Sequence, residues 1–339
     1  MTHRFTTRLL PVPAAGGTFM AQAAAPATFK VAIGDAQGGT QWELASRFKT
    51  LFEQKTGGKH KLDLFPNGQL GSEEATVSNA QMGTLDFSVL AVNNITPFSP
   101  TVGVLTLPYV IQSAEDARKL TTGPIGQELA DNTVRDAGIR IVGWAYSGFR
   151  VLTNSKRPVR SVADLKGLKI RVPKNEIMIA SYQAWGINPT PLAWSETFTA
   201  LQQRVVDGQG NPHITGTKGN SPARIKAASM KFNEVQKYIT PIRYVFSLEP
   251  LVVSEAVFRK QPADVQKAIL EAGAEATTHS FEYLQATEDK IRKELAAKGM
   301  EITEPADGEK EFIEKATAAV WPKFHKSIGG KDKLGRVLK

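Results

Sequence analysis

Apolar positions in the first part of the chain alternate between strand-like runs and helix-like spacings. Phe29–Ile33 predicts a strand, and Trp42–Lys55 carries apolar residues three and four positions apart, which predicts a helix. Lys61–Phe65 alternates as a second strand, Ser72 begins a second helix, and Leu85–Val92 is apolar enough for a strand buried on both faces. This β-α-β-α-β order predicts an α/β fold with a doubly wound sheet.

The second part of the chain repeats this rhythm and then changes to one long helical pattern. Leu168–Val172 predicts a strand that stops at Pro173, because proline cannot donate to a sheet ladder. Further predicted elements are a helix at Ile177–Trp185, a helix at Ser195–Gln203 with Ser195 as its N-cap, and a strand at Val245–Val253. Pro262 to about Lys298 predicts a helix roughly 50 Å long. The Gly- and Lys-rich tail after Lys326 is expected to be loose.

Composition indicates a soluble globular protein and excludes cysteine chemistry. The chain has 339 residues, 41% hydrophobic and 22% charged, which is enough for a sizeable core and for two domains of ordinary size. It has no cysteine, so disulfides, thiolate catalysis and cysteine metal sites are excluded. The net charge of +9 comes from residues spread along the chain. We therefore expect a positive field that attracts anionic solutes and no nucleic-acid partner.

Residues 1–23 have the pattern of an export signal. Arg4 and Arg8 give a basic start, Leu9–Met20 is mildly apolar, and Ala21-Gln22-Ala23 is a small-residue cleavage site. Proline and glycine interrupt the apolar part, so a disordered or wrongly assigned start of the chain is the alternative. No later run approaches the roughly 18 apolar residues of a membrane-spanning helix. A real signal would place the mature protein in the periplasm.

Common catalytic and cofactor motifs are missing from the sequence. There is no G-x-S-x-G elbow, no complete phosphate loop and no G-x-G-x-x-G fingerprint. The five histidines are scattered without metal-ligand spacing. His213 follows a turn, where it is either an ordinary loop histidine or a residue that approaches a ligand. We expect no catalytic residue, no metal and no cofactor.

Arg171 is the candidate with the clearest chemistry. It lies at the end of the predicted strand Leu168–Val172, and open α/β sheets bind ligands beyond the carboxyl ends of their strands. A guanidinium there suits a carboxylate, because its planar fork makes two parallel charge-assisted hydrogen bonds. The alternative is a surface arginine in a strand rich in Lys and Arg.

A set of short motifs resembles the solute-binding proteins (DctP type) of tripartite ATP-independent periplasmic (TRAP) transporters. In chain order the motifs are Leu64-Phe65-Pro66-Asn67-Gly68-Gln69-Leu70-Gly71, Gly83-Thr84-Leu85-Asp86-Phe87, Leu107-Pro108-Tyr109, Leu168-Lys169-Ile170-Arg171-Val172-Pro173, Pro189-Thr190-Pro191-Leu192-Ala193-Trp194-Ser195-Glu196 and Asp207-Gly208-Gln209-Gly210-Asn211-Pro212. Each motif is weak alone, but six in the same order are specific. The resemblance covers nearly all of the chain after about residue 28.

The resemblance implies a periplasmic-binding-protein-like α/β fold. Two α/β lobes would enclose a ligand cleft, and a long helical region would brace both of them. The expected division is a signal peptide at 1–23, lobe I at 24–147 plus 237–276, and lobe II at 148–236 plus 277–339.

The resemblance also implies roles for individual residues. Arg171 matches the arginine that pairs with the ligand carboxylate, and Arg150 matches a second cationic contact. Asn211 matches the polar residue of the D-G-Q-x-N-P turn. Trp194 stands where an aromatic residue covers the ligand, although a core tryptophan is the alternative. Glu73 matches an acidic position on the first-lobe side of the cleft.

Departures from the family pattern bear on the ligand. Gly210 replaces a glutamate that is common in this turn. Ala91 and Asn94 stand where sialic-acid-binding members carry glutamate and arginine, and Asn94 is kept as a candidate ligand contact. Sialic acid is therefore not expected, because its polar groups would lose partners. Ala91, Val92 and Trp194 suggest a smaller or partly apolar carboxylate.

Two classes of function remain open from the sequence. The first is a monomeric periplasmic receptor that closes around an organic acid by hinge motion and then docks on TRAP membrane permease subunits. The second is an enzyme or sensor of a small anion on the same scaffold, since a fold alone does not fix a function. The missing catalytic motifs favour the receptor.

Overall fold

The computed structural model of the chain describes residues 26–212 and 232–339. The signal peptide and cleavage site predicted within residues 1–23, and His213, lie outside these ranges. The described strands are β1 Thr28–Ile33, β2 Lys61–Phe65, β3 Phe87–Val89, β4 Ile139–Asn154, β5 Ile170–Val172, β6 Thr190–Pro191, β7 Gly208–Pro212, β8 Tyr238–Thr240, β9 Phe246–Ser254 and β10 Glu301–Ile302. The described helices are α1 Thr40–Lys55, α2 Glu73–Gln81, α3 Ala114–Thr122, α4 Pro124–Ala137, α5 Glu176–Ala184, α6 Trp194–Gln202, α7 Glu255–Arg259, α8 Ala263–Ala297, α9 Lys310–Phe324 and α10 Lys331–Val337.

The first sheet has the strand order β2-β1-β3-β9-β4. β1 is parallel to β2 and β3, while β9 is antiparallel to β3 and β4. The apolar face of α1 packs on this sheet, with Phe48 and Phe52 buried among Phe29 and Phe87. The predicted β-α-β-α-β order is confirmed. The run Leu85–Val92 is a strand only at β3, because the chain then turns into a short 3-10 helix at Val92–Asn94.

β4 connects the first sheet to the second. Its 16 residues pair with β9 as far as Phe149, and from Arg150 onward they pair with β7 and β8. The second sheet adds β5 parallel to β7, β6 parallel to β5, and β10 parallel to β8. Arg150 therefore stands where β4 changes partner, between the two sheets.

The long helix is confirmed as α8, which has 35 residues and packs along β4. The pairing of β4 with β9 is irregular between Ile141 and Gly143 and between Tyr146 and Gly148. In this stretch the backbone N–H of Trp144 donates to Thr277 Oγ1 at 2.9 Å, and that of Tyr146 donates to Ser280 Oγ at 3.1 Å. α8 thus fixes β4 directly before the crossing between the sheets.

The structure corrects the expected start and N-cap of α6. α6 begins at Trp194 with Ala193 at the N-cap position, one residue earlier than expected, so Ser195 is not the cap. Instead, the carboxylate of Glu196 accepts a hydrogen bond from the Ala193 backbone N–H at 2.9 Å. β8 pairs in the second sheet, although the predicted boundary at residue 237 assigns it to lobe I. The lobe boundaries as a whole stay a prediction.

The C-terminal tail is not loose, because it contains α10. Leu334 and Val337 are buried on one side of this helix. Lys333 and Arg336 pair with Glu128 on α4 at 2.7 and 2.8 Å. The high glycine and lysine content of the tail suggested disorder. However, Leu334 and Val337 are apolar residues at helical spacing, and they pack the segment against the rest of the protein.

Candidate functional site

One cavity between the two sheets is lined by all six residues that the sequence singled out. The first-sheet side contributes Glu73, at the start of α2, and Asn94, in the 3-10 helix after β3. The second-sheet side contributes residues from four elements: Arg150 of β4, Arg171 of β5, Trp194 of α6 and Asn211 of β7. The cavity contains about 500 Å³ of atom-free space, part of it open to solvent. The fold therefore brings together residues that are more than 130 positions apart.

Arg171 is buried, so the surface-arginine alternative is wrong. Its side chain is only 2% exposed. Nε and Nη2 both donate to the carbonyl oxygen of Leu192, at 3.0 and 2.6 Å. Nη1 has no hydrogen-bond partner among the described residues. Burial and the nearby charge of Arg150 lower the pKa of the Arg171 guanidinium, while Glu73 acts in the opposite direction. An entering anion would offset the desolvation of this cation.

Arg150 is the second buried cation, and it is held by β7. Nη1 donates to the Gly210 carbonyl at 2.6 Å and to Asn211 Oδ1 at 2.7 Å. Asn211 Nδ2 in turn donates to Gln209 Oε1 at 2.5 Å. Within the described ranges Nε of Arg150 makes no hydrogen bond, although the residue is only 4% exposed. Asn211 therefore positions the cation and also lines the cavity.

Glu73 is held by neighbours on its own side of the cavity. Oε1 accepts from Gln41 Nε2 at 2.7 Å. Oε2 accepts from the Ala91 backbone N–H at 3.3 Å and from Asn94 Nδ2. Burial raises the pKa of the Glu73 carboxyl, and these hydrogen bonds and the two arginines oppose that shift. Glu73 is 9% exposed, so its charge lies in the same desolvated space as the guanidinium groups.

Two buried carboxyl groups in the cavity were missed by the sequence analysis. Asp35 follows β1 and is 4% exposed, and Glu249 lies in β9 and is 3% exposed. Burial and the neighbouring Glu73 raise the pKa of Asp35 to about 7, while the hydrogen bond from the Gln41 backbone N–H acts to lower this pKa. Burial raises the pKa of Glu249 well above its ordinary value, and the charges of Asp35 and Glu73 add to this. The sequence signal for Glu249 was a single acidic residue inside an apolar strand. Burying such a charge is unfavourable unless it is paired or hydrogen-bonded.

Trp194 covers the cavity from the second-sheet side. Its ring lies 5.9 Å from the Arg171 guanidinium carbon and 5.6 Å from the Phe232 ring. The tryptophan is partly buried and packs against a small apolar cluster that includes Phe232, so it lines the cavity and also belongs to the edge of a core. Its Nε1 makes no regular hydrogen bond to any described residue, but the indole lies close enough to Asp35 to oppose the rise in that carboxyl's pKa. Trp194 therefore faces the acidic side of the cavity.

The departure at Gly210 has a steric cause. A Cβ atom at this position would lie 2.4 Å from the Tyr182 hydroxyl and 3.1 Å from the Tyr244 hydroxyl. Both tyrosines are fully buried and contact each other edge to face at 5.6 Å. The two hydroxyls thus occupy the space that a glutamate side chain at residue 210 would need. Neither tyrosine was singled out from the sequence.

A second cavity is larger, but no buried cation without a partner is among the described residues that line it. It holds about 1500 Å³ of atom-free space between α3, α4, β4 and α8. Arg118, on its rim, is already paired with Glu115 through Nε at 2.9 Å and Nη2 at 2.6 Å. We therefore take the smaller cavity as the candidate site, because its charged groups are buried and only partly satisfied.

Neither a membrane span nor a metal cluster occurs in the part of the chain that the structure describes. No helix in residues 26–212 and 232–339 is both long and apolar enough to cross a bilayer. Within the same ranges no group of three acidic or histidine side chains is arranged to hold a metal ion.

The chain was compared with known families, sequences and solved structures. A model of the DctP family, described as bacterial extracellular solute-binding protein, family 7, matches residues 33–327. A protein of Verminephrobacter eiseniae named solute-binding protein is 36% identical over 309 residues, which is 91% of this chain and 88% of the relative.

Two solved structures show the same fold with different bound states. A TRAP periplasmic solute-binding protein from Polaromonas sp. JS666, bound to D-erythronate, is 29% identical with a TM-score of 0.84, covering 92% of this chain and 98% of that one. Another from Rhodobacter sphaeroides, described as apo, open and partially disordered, is 37% identical with a TM-score of 0.73, covering 92% and 97%. These matches confirm the predicted two-lobed α/β fold, and the chain belongs to family 7 of the bacterial extracellular solute-binding proteins, the DctP family of TRAP solute-binding proteins.

Proposed function

We propose that this protein is a periplasmic receptor that binds a small organic acid between its two lobes and delivers it to TRAP membrane permease subunits. In this proposal the ligand carboxylate contacts Arg171 and Arg150, and the role of the protein is binding without catalysis. Family membership supports the receptor role, and the D-erythronate-bound relative supports an organic acid as ligand.

The observation that carries the proposal is the incomplete hydrogen bonding of Arg171. Nη1 lies in a buried position without a partner among the described residues, while Nε and Nη2 are held by Leu192. A buried, unsatisfied guanidinium is costly, and a carboxylate satisfies it with strong charge-assisted hydrogen bonds. The partner-free Nε of Arg150 adds a second donor from β4.

The shape of the molecule supports a closed cleft. The structure of the chain is more similar to that of the D-erythronate-bound relative than to that of the open apo relative. This holds although the sequence identity to the open relative is higher. Contacts cross the cleft as well: Asn175, at the N-cap of α5, donates through Nδ2 to the Asn93 carbonyl at 3.0 Å and to Thr96 Oγ1 at 2.8 Å. We propose that these contacts form when ligand closes the lobes.

Calorimetric titration with a panel of organic acids that includes D-erythronate tests the proposal. Arg171→Ala should weaken the best ligand by about 10² to 10³, because removing one partner of a desolvated charge pair costs roughly 3–5 kcal/mol. Arg47→Ala, which changes an exposed arginine of α1, is the matched control and should bind like the wild type. Failure of every acid to bind the folded wild-type protein would contradict the proposal.

A further inference from the structure

The charged groups of the cavity are divided between its two sides. Both arginines come from the second-sheet side, on β4 and β5. The carboxyl groups come from the first-sheet side: Asp35 after β1, Glu73 at the start of α2 and Glu249 in β9. We call these three carboxyl groups the acidic wall. A ligand that places its carboxylate on the arginines must present its other end to this wall.

The three members of the acidic wall differ in how far the protein satisfies them. Both oxygens of Glu73 accept hydrogen bonds. Oε1 accepts from the Gln41 side chain, and Oε2 accepts from the Ala91 backbone N–H and the Asn94 side chain. Oδ2 of Asp35 accepts the backbone N–H of Gln41 at 3.2 Å. Oε2 of Glu249 has no hydrogen-bond partner among the described residues, although Glu249 is 3% exposed. Glu249 is therefore the buried acceptor that a ligand donor can satisfy.

The surroundings of the acidic wall disfavour a second negative group on the ligand. Burial raises the pKa of Asp35, Glu73 and Glu249, and neighbouring carboxyl groups add to the rise for Asp35 and Glu249, so each further negative charge is unfavourable in this part of the cavity. A second ligand carboxylate would add like charge where water is excluded and interactions are weakly screened. A hydroxyl group adds no charge and donates a hydrogen bond to a carboxylate.

We propose that the acidic wall, with Glu249 as its free acceptor, makes this site selective for monocarboxylates that carry hydroxyl groups at the end remote from the carboxylate, and against dicarboxylates. The proposal rests on the function proposed above, since it assumes that the arginines hold the first carboxylate. It also replaces the partly apolar ligand that the sequence suggested from Ala91, Val92 and Trp194, because three buried acids face that end of the cavity.

Matched pairs of acids test the selectivity by calorimetric titration at pH 8. D-erythronate and meso-tartrate, and D-galactonate and galactarate, differ within each pair only in a terminal CH₂OH or carboxylate. Butyrate serves as a monocarboxylate without hydroxyl groups. We expect at least one hydroxy monocarboxylate to bind ten times more tightly than its dicarboxylate partner and than butyrate.

Two variants assign the selectivity to the wall. Glu249→Gln keeps the size of the side chain but removes its ionisable carboxyl group, so it should reduce the preference for the monocarboxylate over its partner by about tenfold. Asp35→Asn should act in the same direction and provides a second readout if the Glu249 variant does not melt cooperatively. Arg47→Ala should leave the ratio unchanged.

The outcomes separate this inference from the function on which it rests. Equal or tighter binding of the dicarboxylates, tighter binding of butyrate, or an unchanged ratio in both wall variants overturns the acidic-wall proposal alone. If Arg171→Ala still weakens binding of the best acid by about 10² to 10³ in that case, the receptor function stands. If none of these acids nor any acid of a wider panel binds the wild type, the receptor function and the inference both fail.

Discussion

Arg171 is fixed by Leu192, whose carbonyl oxygen accepts hydrogen bonds from both Nε and Nη2 at 3.0 and 2.6 Å. The backbone N–H of Leu192 donates to Val172 at 3.1 Å, so the loop after β6 is tied to the strand that carries Arg171. One edge of the guanidinium is therefore used by the protein itself. Nη1 is left without a hydrogen-bond partner among the described residues, as the proposed contact with a ligand carboxylate requires.

This clamp, in which the Leu192 carbonyl holds one edge of the Arg171 guanidinium, predicts that lysine cannot replace Arg171. Arg171→Lys keeps a positive charge but loses the planar fork and cannot hold Leu192 and a ligand at the same time. We expect Arg171→Lys to bind the best acid more tightly than Arg171→Ala but at least tenfold more weakly than the wild type. Titration of the three proteins measures this, and wild-type affinity in the lysine variant would contradict the clamp.

Arg150 should contribute less than Arg171. Its Nη1 is already used by Gly210 and Asn211, which leaves fewer donors for the ligand. The loss of one charged hydrogen bond costs about 1.5–3 kcal/mol, so Arg150→Ala should weaken binding by roughly 10 to 150-fold. A loss larger than that of Arg171→Ala, measured by the same titration, would reverse the proposed ranking.

Gly210 should not tolerate even a methyl group. Gly210→Ala places Cβ 2.4 Å from the Tyr182 hydroxyl, and overpacking of this kind costs about 1–3 kcal/mol of unfolding free energy. Adding Tyr182→Phe removes the clashing oxygen and should restore part of the loss. Urea denaturation measures both effects.

A second glycine provides the control for this experiment. Gly335, in helix α10, has open space around its Cβ position, so Gly335→Ala should leave stability unchanged or raise it slightly. Equal stability of Gly210→Ala and the wild type would show that the two tyrosine hydroxyls do not restrict the space at residue 210.

The acidic wall makes the unliganded protein less stable as the pH rises toward neutrality. Burial raises the pKa of Asp35 from 3.8 to about 7, so the folded state holds a proton that the unfolded chain releases. The stabilisation is complete below pH 3.8 and is lost as the pH rises through about 7, with a slope of at most about 1.4 kcal/mol per pH unit for this proton.

Asp35→Asn isolates this effect. Between pH 5 and 8 the variant should lose less stability than the wild type, while Glu249, whose pKa is also raised, continues to contribute in the same direction. Denaturant unfolding at several pH values measures the difference. Parallel pH profiles for the two proteins would contradict a protonated Asp35 in the folded state.

The local elements and the central arginine could be predicted from the sequence, because both depend on short-range patterns. Spacing predicted α1 and α8 closely, and the strand stop at Pro173 placed Arg171 at the end of β5. The length of β4 could not be predicted, since it depends on two different partner strands. Asp35 was concealed in a polar loop, and Glu249 in an apolar strand, because their shared environment forms only when distant segments meet.

A crystal structure of the protein with a bound acid tests the central claim most directly. The account predicts the ligand carboxylate within about 3.2 Å of Arg171 Nη1, with hydroxyl groups turned toward Glu249. An acid bound in the larger cavity beside α8, or one in the smaller cavity with its carboxylate away from Arg171, would contradict the account.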